Sequence, residues 1–324
     1  MTMIGRRAFG AGALALAAAP AARAAEFPER SIRFVIPYPP SGASDVTARL
    51  LADRLTQAFS QSVVVENRPG ANGILACEFV AKAPADGYTL LMGNLGPNAI
   101  NQTLYRTLPY DCITSFAPIT LTTRVPLLLV VSANFPANTL QELIALAKRE
   151  PNRYSFASAG IGSANHLAGE MLKQMAGIEL THVPYRGDAP AITDVIAGRV
   201  TMIFPTAIGA LPHVNAGHMK IIGISTAERS AALPQIPTLA EQGLREMDAY
   251  SWGGVMAPAG TPPAIVARYH AELTRILAVP DVRSKLVELG AEIIGGGPDQ
   301  FATFLRSEID RWGAAVRASG ARAE

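Results

Sequence analysis

The stretch Pro37-Tyr38-Pro39-Pro40-Ser41-Gly42-Ala43-Ser44-Asp45 separates a short strand-like run from an amphipathic segment. Residues 31–36 before it are β-branched and aromatic, and apolar side chains recur at helical spacing from Val46 to Phe59 after it. The prolines exclude helix and ladder pairing, so the loop is predicted to be stiff and extended. Asp45 is a typical helix cap, and free amides at a helix start form an anion site without any Lys or Arg. The same pattern also fits an ordinary capped turn of an α/β protein, so both interpretations stay open at this point.

Residues 1–24 predict a secretory signal peptide. Arg6-Arg7-Ala8-Phe9 precedes an Ala/Leu-rich run over residues 10–22, and Ala22-Arg23-Ala24 matches a small-x-small cleavage site. The paired arginines favour the twin-arginine route over the general secretory route. The apolar run is too short and too poor in large residues for a membrane anchor, and no later run approaches a spanning length. We therefore expect a protein of the periplasm with no stable membrane insertion after cleavage.

The charge of the chain argues against a nucleic-acid partner, and its cysteines argue against a zinc site and against redox catalysis. The precursor has 28 basic and 26 acidic residues, and removal of three signal-peptide arginines leaves 25 basic residues and a formal charge of −1. No Lys/Arg cluster remains that would follow a phosphate backbone, so nucleic acid is not an expected partner. Cys77 and Cys112 have no CxxC spacing and no neighbouring histidine, so neither a zinc site nor redox catalysis is indicated. A disulfide between them and two buried free thiols both stay open.

Strand-like and helix-like segments alternate along the mature chain, which predicts an α/β fold with mainly parallel sheets flanked by helices. The predicted strands cover residues 31–36, 62–66, 88–92, 127–132, 154–157, 180–183, 201–204 and 221–225, and an extended segment covers 250–257. The predicted helices cover residues 45–59, 73–82, 139–148, 163–176, 189–197, 207–216, 262–277, 281–289 and 298–318.

The helices after residue 262 have no sheet of their own, so they are expected to pack back on the first block. The second block then becomes an insertion. Two crossings, near residues 121–129 and 250–257, join lobe 1 (residues 25–123 with 250–324) to lobe 2 (residues 124–249). Two lobes that are joined by two extended segments make a hinge with a cleft between them.

Motifs of enzymes and of cofactor sites are incomplete. Phe156-Ala157-Ser158-Ala159-Gly160 lacks the first glycine of a nucleophile elbow, and Asn165 stands where a dinucleotide fingerprint has its third glycine. The five histidines form no metal set, and the chain has no P-loop and no HExxH motif. We expect that the protein is not an enzyme and binds no cofactor. An exported enzyme is the alternative.

Two single side chains are candidates for ligand contact. His166 could donate a hydrogen bond into the cleft or could be a packed helix histidine. Arg186 could clamp a carboxylate with two hydrogen bonds or could be an exposed loop arginine. Gly295-Gly296-Gly297 precedes Pro298 and is interpreted as a helix-entry linker.

Six segments, in order along nearly the whole mature chain, resemble the Bug-type periplasmic receptors, the solute-binding proteins of tripartite tricarboxylate transporters. They are PYPPSGASD, VVVENRPGANG, PADGYTLLMGN, PYRGDAPAITDVIAGRV, SWGGVMAPAGTPPAIV and FATFLRSEIDRWGAAV. ENRPG followed by DGYTL is much more diagnostic than any single glycine loop. The resemblance implies a two-lobed type II periplasmic-binding-protein fold with a hinge, a small carboxylate ligand in the cleft, and permease subunits as membrane partners. An orphan receptor that signals to a sensor partner is the alternative within the same fold.

The resemblance also implies which residues hold the ligand, partly through water. They are Tyr38, Ser41, Gly42, Ala43 and Asp45 in lobe 1, and Ala159, Gly162, Ser163, His166, Tyr185, Arg186 and Asp188 in lobe 2. The family usually has Gly-Gly where Ser41-Gly42 stands, so the Ser41 hydroxyl is expected to replace a water or to narrow the pocket. Thr201 stands where the family commonly has Asp. Which acid is bound stays open among dicarboxylates, tricarboxylates, amino acids, aromatic acids and nicotinate-like acids.

Overall fold

A computed structural model describes residues 27–40, 42–288 and 290–323. The predicted signal peptide and Ser41 lie outside the described residues. The strands are β1 (Ile32–Ile36), β2 (Val63–Asn67), β3 (Thr89–Asn94), β4 (Phe116–Pro126), β5 (Leu128–Ser132), β6 (Ser155–Ser158), β7 (Thr181–Pro184), β8 (Met202–Ile203), β9 (Met219–Ile224), β10 (Tyr250–Pro258) and β11 (Glu292–Gly295). The helices are α1 (Ala43–Phe59), α2 (Ile74–Ala81), α3 (Asn101–Leu104), α4 (Leu140–Arg149), α5 (Ala164–Ala176), α6 (Asp188–Ile196), α7 (Ala207–Asn215), α8 (Pro263–Ala278), α9 (Pro280–Glu288) and α10 (Pro298–Ser319). Short 3-10 and π-helical turns, Ala71–Gly73 and Gly96–Ile100, precede α2 and α3.

The strands form two sheets flanked by helices, which confirms the predicted α/β fold. Sheet 1 has the order β11-β4-β10-β3-β1-β2, and sheet 2 has the order β7-β6-β8-β5-β9. The expectation of mainly parallel sheets is wrong, because both sheets are mixed. In sheet 1, β1 pairs in parallel with β2 and β3, but β10 runs antiparallel to β3 and β4. In sheet 2, β6 pairs in parallel with β7 and β8, but β5 runs antiparallel to β8 and β9.

The antiparallel pairing in sheet 1 follows from how the chain passes between the sheets. β4 leads toward sheet 2, and β10 returns from it, so the two strands must run in opposite directions. β4 ends at Pro126 and β5 begins at Leu128, so Leu127 alone separates the sheets on the outward path. On the return path, residues 225–249 contain no helix or strand and lead into β10.

Ser225 fastens the two paths together where they leave sheet 2. Its backbone amide donates to the Leu127 carbonyl at 2.9 Å, and its hydroxyl donates to the carbonyl of Leu127 or of Ala249. The Ala249 amide in turn donates to the Ser225 carbonyl at 2.8 Å. Because Ser225 is fully buried, these bonds are shielded from water and form a clasp at the expected hinge.

The helices cover the sheets with the faces that the sequence predicts. On α10, Phe301, Leu305, Trp312 and Val316 are buried, as their helical spacing indicates. On α1, Leu51, Leu55 and Phe59 are buried, whereas Val46 is 37% exposed and does not belong to the apolar face. One apolar cluster includes α10 and α5 together with strands of both sheets, so the packing continues from one sheet to the other.

The structure also settles three smaller points about the cysteines, the triple-glycine segment and the lengths of the helices. Cys77 and Cys112 are both buried free thiols, which is the second of the two possibilities left open by the sequence. Gly295 ends β11 and Gly297 is the N-cap of α10, so the triple-glycine segment enters a helix as predicted. Within the described residues, no helix is long and apolar enough to span a bilayer.

Candidate functional site

A cavity of about 910 Å³, called the cleft cavity below, lies between the two sheets. Loops after six strands line it: residues 37–39 after β1, 69–73 after β2, 95–96 after β3, 159–161 and 163–165 after β6, 185–188 after β7, and Phe204 and Thr206 after β8. Within each sheet, these three strands run in the same direction. The carboxyl ends of parallel strands meet at one edge, and ligands of open α/β sheets bind there. The cleft cavity is therefore enclosed by the two facing edges where ligand sites are expected.

Sheet 2 presents three helix starts to this cavity. The N-caps of α5, α6 and α7 are Ser163, Gly187 and Thr206, and all three line it. The first amides of a helix have no partner within that helix, and the helix dipole adds positive potential around them. This wall therefore favours an anion through backbone groups.

The wall from sheet 1 contains Tyr38. Its side chain lies beside Gly96, where an added Cβ would approach the Tyr38 hydroxyl oxygen to 3.0 Å. Burial raises the pKa of Tyr38 well above 10.0, so the hydroxyl stays a neutral donor. Asn67 fixes the loop by donating from Nδ2 to the Tyr38 carbonyl at 3.0 Å.

The start of α1 lies beside the cleft cavity and does not line it. Gly42 is the N-cap of α1, without a side-chain hydrogen bond. Ala43 and Ser44 line a second pocket of about 30 Å³, which shares Thr206 and Ser251 with the cleft cavity. The predicted residues Gly42 and Ala43 are thus adjacent to the larger space.

Asp45 is not the helix cap that the sequence predicts. It lies in the first turn of α1, is buried, and accepts hydrogen bonds from Arg49 at 3.0 Å and from Asn67 Nδ2 at 2.9 Å. The prediction is wrong because the loop enters the helix two residues earlier, at Ala43, with Gly42 as the cap. Asp45 instead ties α1 to the end of β2, and the cleft cavity lies elsewhere.

Ser163 and Asn165 organise the loop after β6. The Ser163 hydroxyl caps α5 by accepting from the His166 amide at 3.4 Å. The buried Asn165 side chain accepts from the Ala159 amide at 3.1 Å through Oδ1. Its Nδ2 donates to Asp188 at 2.6 Å. The Ser163 hydroxyl also donates to Asn165 Oδ1 at 2.5 Å. Ala159, Ser163 and Asp188, which the sequence names as site residues, are therefore connected through Asn165, which it does not name.

His166 does not face the cavity. Its Nδ1 accepts from the Gly162 amide at 3.1 Å, and its ring stacks on His182 with 4.0 Å between centroids. His182 lies 2.6 Å through Nε2 from the Ser158 hydroxyl. Burial lowers the pKa of His166 to about 3 and that of His182 to about 4, so both rings are neutral at pH 7. Of the two possibilities for His166, the structure selects the packed histidine, which supports the loop from behind.

Gly162 also points away from the cavity. Its φ is +76°, and an added Cβ would lie 2.0 Å from Cδ2 of the buried Leu104 on the side of sheet 1. A side chain at this position is excluded by both the backbone and the neighbouring residue. Gly162 therefore allows the two sides of the cleft to touch.

The loop after β7 provides the two charged side chains of the lining, Arg186 and Asp188. Arg186 is exposed, and Asp188 is half-buried. Burial raises the pKa of Asp188, while the hydrogen bond from Asn165 opposes this shift. The Tyr185 hydroxyl donates to Asp194 at 2.6 Å, which orients that ring at the edge of the cavity.

Several lining residues were not predicted from the sequence. They are residues 69–73, Leu95, Gly96, Tyr105 and Thr206. Residues 69–73 form the turn after β2, and their Pro and Gly residues indicate a turn but not a ligand site. The rule that loops after parallel strands share one edge would have placed this turn beside Tyr38. Among the described residues, no group of three His, Cys, Asp or Glu side chains could hold a metal ion.

Residues 47–321 match the model of the tripartite tricarboxylate transporter family receptor. The chain belongs to this family. It is a family of solute-binding receptors, so this receptor is not an enzyme.

Two curated relatives and two solved structures are similar over nearly their full lengths. A UPF0065 protein in the tcbD-tcbE intergenic region of Pseudomonas sp. is 39% identical and covers 95% of this chain and 93% of its own. BugT of Bordetella pertussis is 35% identical and covers 91% of each chain. The structure of R. palustris Rpa4515 with adipate has a TM-score of 0.85 and 37% identity, covering 91% of this chain and 99% of its own. MatC from Rhodopseudomonas palustris with bound malate has a TM-score of 0.80 and 33% identity, covering 90% of this chain and 100% of its own.

Proposed function

We propose that this receptor is exported to the periplasm, captures a small carboxylic acid in the cleft cavity and delivers it to membrane permease subunits. The observation that carries the proposal is the cleft cavity itself, whose walls come from both sheets and whose sheet 2 wall contains three helix starts. Partial positive charge at converging helix starts favours an anion. The carboxylates in the neighbouring structures, adipate and malate, support the choice of anion.

The ligand contacts that we propose are divided between the two walls. Tyr38 donates from the sheet 1 side, and Arg186 donates from the sheet 2 side. Ser163 adjoins the ligand on the sheet 2 side, while its hydroxyl proton is donated to the Gly160 carbonyl or to Asn165 Oδ1. The other proposed residues are Ser41, Gly42, Ala43, Ala159 and Tyr185 as direct or water-mediated contacts, and Asp45, Gly162 and His166 as supports of the loops. Since neither wall alone surrounds the anion, binding favours the arrangement in which both are close.

We also propose the lobe boundaries of residues 25–123 with 250–324 and residues 124–249. The strands of sheet 1 fall in residues 32–126 and 250–295, and those of sheet 2 in residues 128–224. The Ser225 clasp lies where both connections leave sheet 2, which is where a hinge is required.

The capture of an acid is tested with the mature protein in a thermal-shift and calorimetry panel. Each acid is paired with its uncharged diamide, for example adipate with adipamide and succinate with succinamide. We expect one or more acids to stabilise the protein, by about 2.7 kcal/mol at one hundred times the dissociation constant, and the diamides to have no effect. Equal effects of an acid and its diamide, or no response to any acid, would contradict the proposal.

Export is tested separately by replacing Arg6 and Arg7 with Lys. If the twin-arginine route is used, the precursor should remain in the cytoplasm. Normal accumulation of the mature protein in the periplasm would refute this route. The proposed ligand class does not depend on the outcome.

A further inference from the structure

Asp188 brings a carboxylate into a cavity that is proposed to hold a carboxylate. It begins α6 directly after Gly187 and lines the cleft cavity. From the protein, its side chain accepts a hydrogen bond from Asn165 Nδ2 at 2.6 Å. No described Lys, Arg or His side chain forms an ion pair with it.

The position of this carboxylate is fixed by the residues behind it. The Asn165 side chain is buried, and its Oδ1 accepts from the Ala159 amide at 3.1 Å. Since Oδ1 faces that amide, the NH₂ group of Asn165 must face Asp188. A flip of the amide would lose both bonds, so Asp188 is held as an acceptor in the cavity wall.

Asp188 and Tyr38 line opposite walls of the same cavity. Burial is the main cause of the raised pKa of Tyr38, and the charges of Cys77 and Asp188 raise it further. Two like charges in a space of low dielectric repel each other strongly. A ligand whose only charged groups are carboxylates therefore meets a repulsive group in this wall.

Arg186 lies two residues before Asp188 and provides the opposite charge in the same loop. Arg186 is exposed, and no described carboxylate forms an ion pair with it. An arginine suits a carboxylate through two parallel hydrogen bonds, and an aspartate suits an ammonium group. The same loop thus brings a positive and a negative side chain to the lining of one cavity, which complements a zwitterion.

We propose that Asp188 selects a carboxylic acid that also carries an ammonium group, the class of the amino acids, over a plain dicarboxylate of the same length. This proposal rests on the proposed function, because it names the ligand class of the same cavity. Asp188 receives the ammonium group, and Arg186 and the helix starts receive a carboxylate.

The test is titration calorimetry with pairs of acids that differ by one amino group. The pairs are L-aspartate with succinate, L-glutamate with glutarate, and L-2-aminoadipate with adipate. We expect the wild-type receptor to bind the amino member of at least one pair about tenfold more tightly. Asp188→Asn keeps the size and the acceptor for Asn165 and removes the charge, so it should abolish this preference and tighten binding of the plain dicarboxylate.

The outcomes separate this inference from the proposed function. If the wild-type receptor binds dicarboxylates as tightly as their amino partners, the inference is wrong, while the capture of an acid stands. If Asp188→Asn weakens both members of a pair equally, Asp188 only positions the loop and the inference is again wrong. If no acid binds, the proposed function fails as well. The melting temperature without ligand monitors the folding of Asp188→Asn, and Asp188→Ser should reproduce the loss of preference.

Discussion

His166 and His182 stack behind the loop that caps α5, and this stack gives the receptor a predictable response to acid. Both pKa values lie below the usual 6.5, at about 3 and about 4. As the pH falls below 6.5, these histidines take up protons in the unfolded chain but stay neutral in the folded protein. The free energy of unfolding therefore decreases. The slope is at most about 1.4 kcal/mol per pH unit for each histidine, and less for the half-buried His182.

Chemical denaturation between pH 7 and pH 5 measures this slope. His182→Gln keeps a polar partner for Ser158 and removes one of the two rings, so its slope should be shallower than that of the wild type. His218 is exposed and lies outside this stack, so His218→Gln serves as the control for the loss of a histidine. Identical slopes for all three proteins would refute the assignment of neutral buried histidines.

Asp45 gives a second prediction at this scale. Because it is buried and accepts from Arg49 and Asn67, Asp45→Ala should lower the free energy of unfolding by about 2 kcal/mol. Asp45→Asn, which keeps one acceptor, should lose less. The exposed Asp53 on the same helix provides the control, since Asp53→Ala should change stability by less than about 0.5 kcal/mol. Urea denaturation compares the three variants, and an Asp45→Ala variant as stable as Asp53→Ala would contradict the account.

The sequence identifies the residue types of the site better than their contacts. It correctly makes Ser163 the beginning of a helix, since a hydroxyl residue before an apolar period is a local signal. It wrongly predicts Asp45 as a helix cap, and it does not decide whether His166 contacts the ligand or packs within the protein. Both side chains are occupied by partners distant in sequence, Asn67 and His182, and no local pattern records such a pairing.

At the scale of elements, the buried Glu308 fastens α10 to β10. Its carboxylate accepts from Tyr250 at 3.1 Å, from Trp252 at 3.0 Å and from Trp312 at 3.1 Å, and it pairs with Arg311. Replacement by a residue without an acceptor would leave these donors buried and unpaired. We therefore expect Glu308→Leu to destabilise the protein by about 3 kcal/mol or more.

Urea denaturation tests this prediction against a matched control on another helix. Glu272 pairs with Arg275 on the surface of α8, and Glu272→Leu should cost about 0.5 kcal/mol or less. Glu308→Gln, which keeps one acceptor, should lie between the two. Losses of equal size for Glu308→Leu and Glu272→Leu would show that Glu308 does not hold the helix.

Most elements follow from the sequence, but their directions in the sheets do not. β1, α1, β2, α2 and β3 lie within a few residues of the predicted segments, because apolar period and turn residues are local properties. The antiparallel pairing of β10 with β3 and β4 joins residues that are more than 120 positions apart. β11 was missed because it is short and only partly buried, so its apolar signal is weak.

At the scale of the whole molecule, Gly162 lies where the two sides of the cleft touch. Gly162→Ala would push a Cβ into Leu104 and should disfavour the close arrangement of the walls. We expect the affinity for the acid identified in the panel to fall about tenfold, equivalent to about 1.4 kcal/mol. Titration calorimetry measures this loss.

Gly217 provides the matched control for this variant. Its φ of +74° is close to the +76° of Gly162, but open space surrounds its position. Gly217→Ala should therefore carry the same backbone strain, of order 1–3 kcal/mol in stability, with unchanged affinity. Equal affinities for the two variants would mean that contact between the walls does not contribute to binding.

The cleft as a whole was predicted from two crossings between two alternating blocks, and the loops that line it were predicted only in part. The loops after β1, β6 and β7 carry recognisable Pro, Gly and Ser patterns. The loops after β2, β3 and β8 line the site because β2 and β3 pair in parallel with β1, and β8 pairs in parallel with β6. The local sequence does not specify this pairing of strands.

Hydrogen–deuterium exchange with and without the acid that stabilises the receptor most is the measurement that tests the central claim most directly. If the acid lies between the sheets, its addition at saturation should slow exchange in both walls. Protection is expected for residues 69–73 and 95–105 on the sheet 1 side and for residues 159–165 and 185–188 on the sheet 2 side. Peptides around the remote Gly217 should not change. Protection confined to one wall, or found only outside these segments, would contradict capture of a carboxylate between the two sheets.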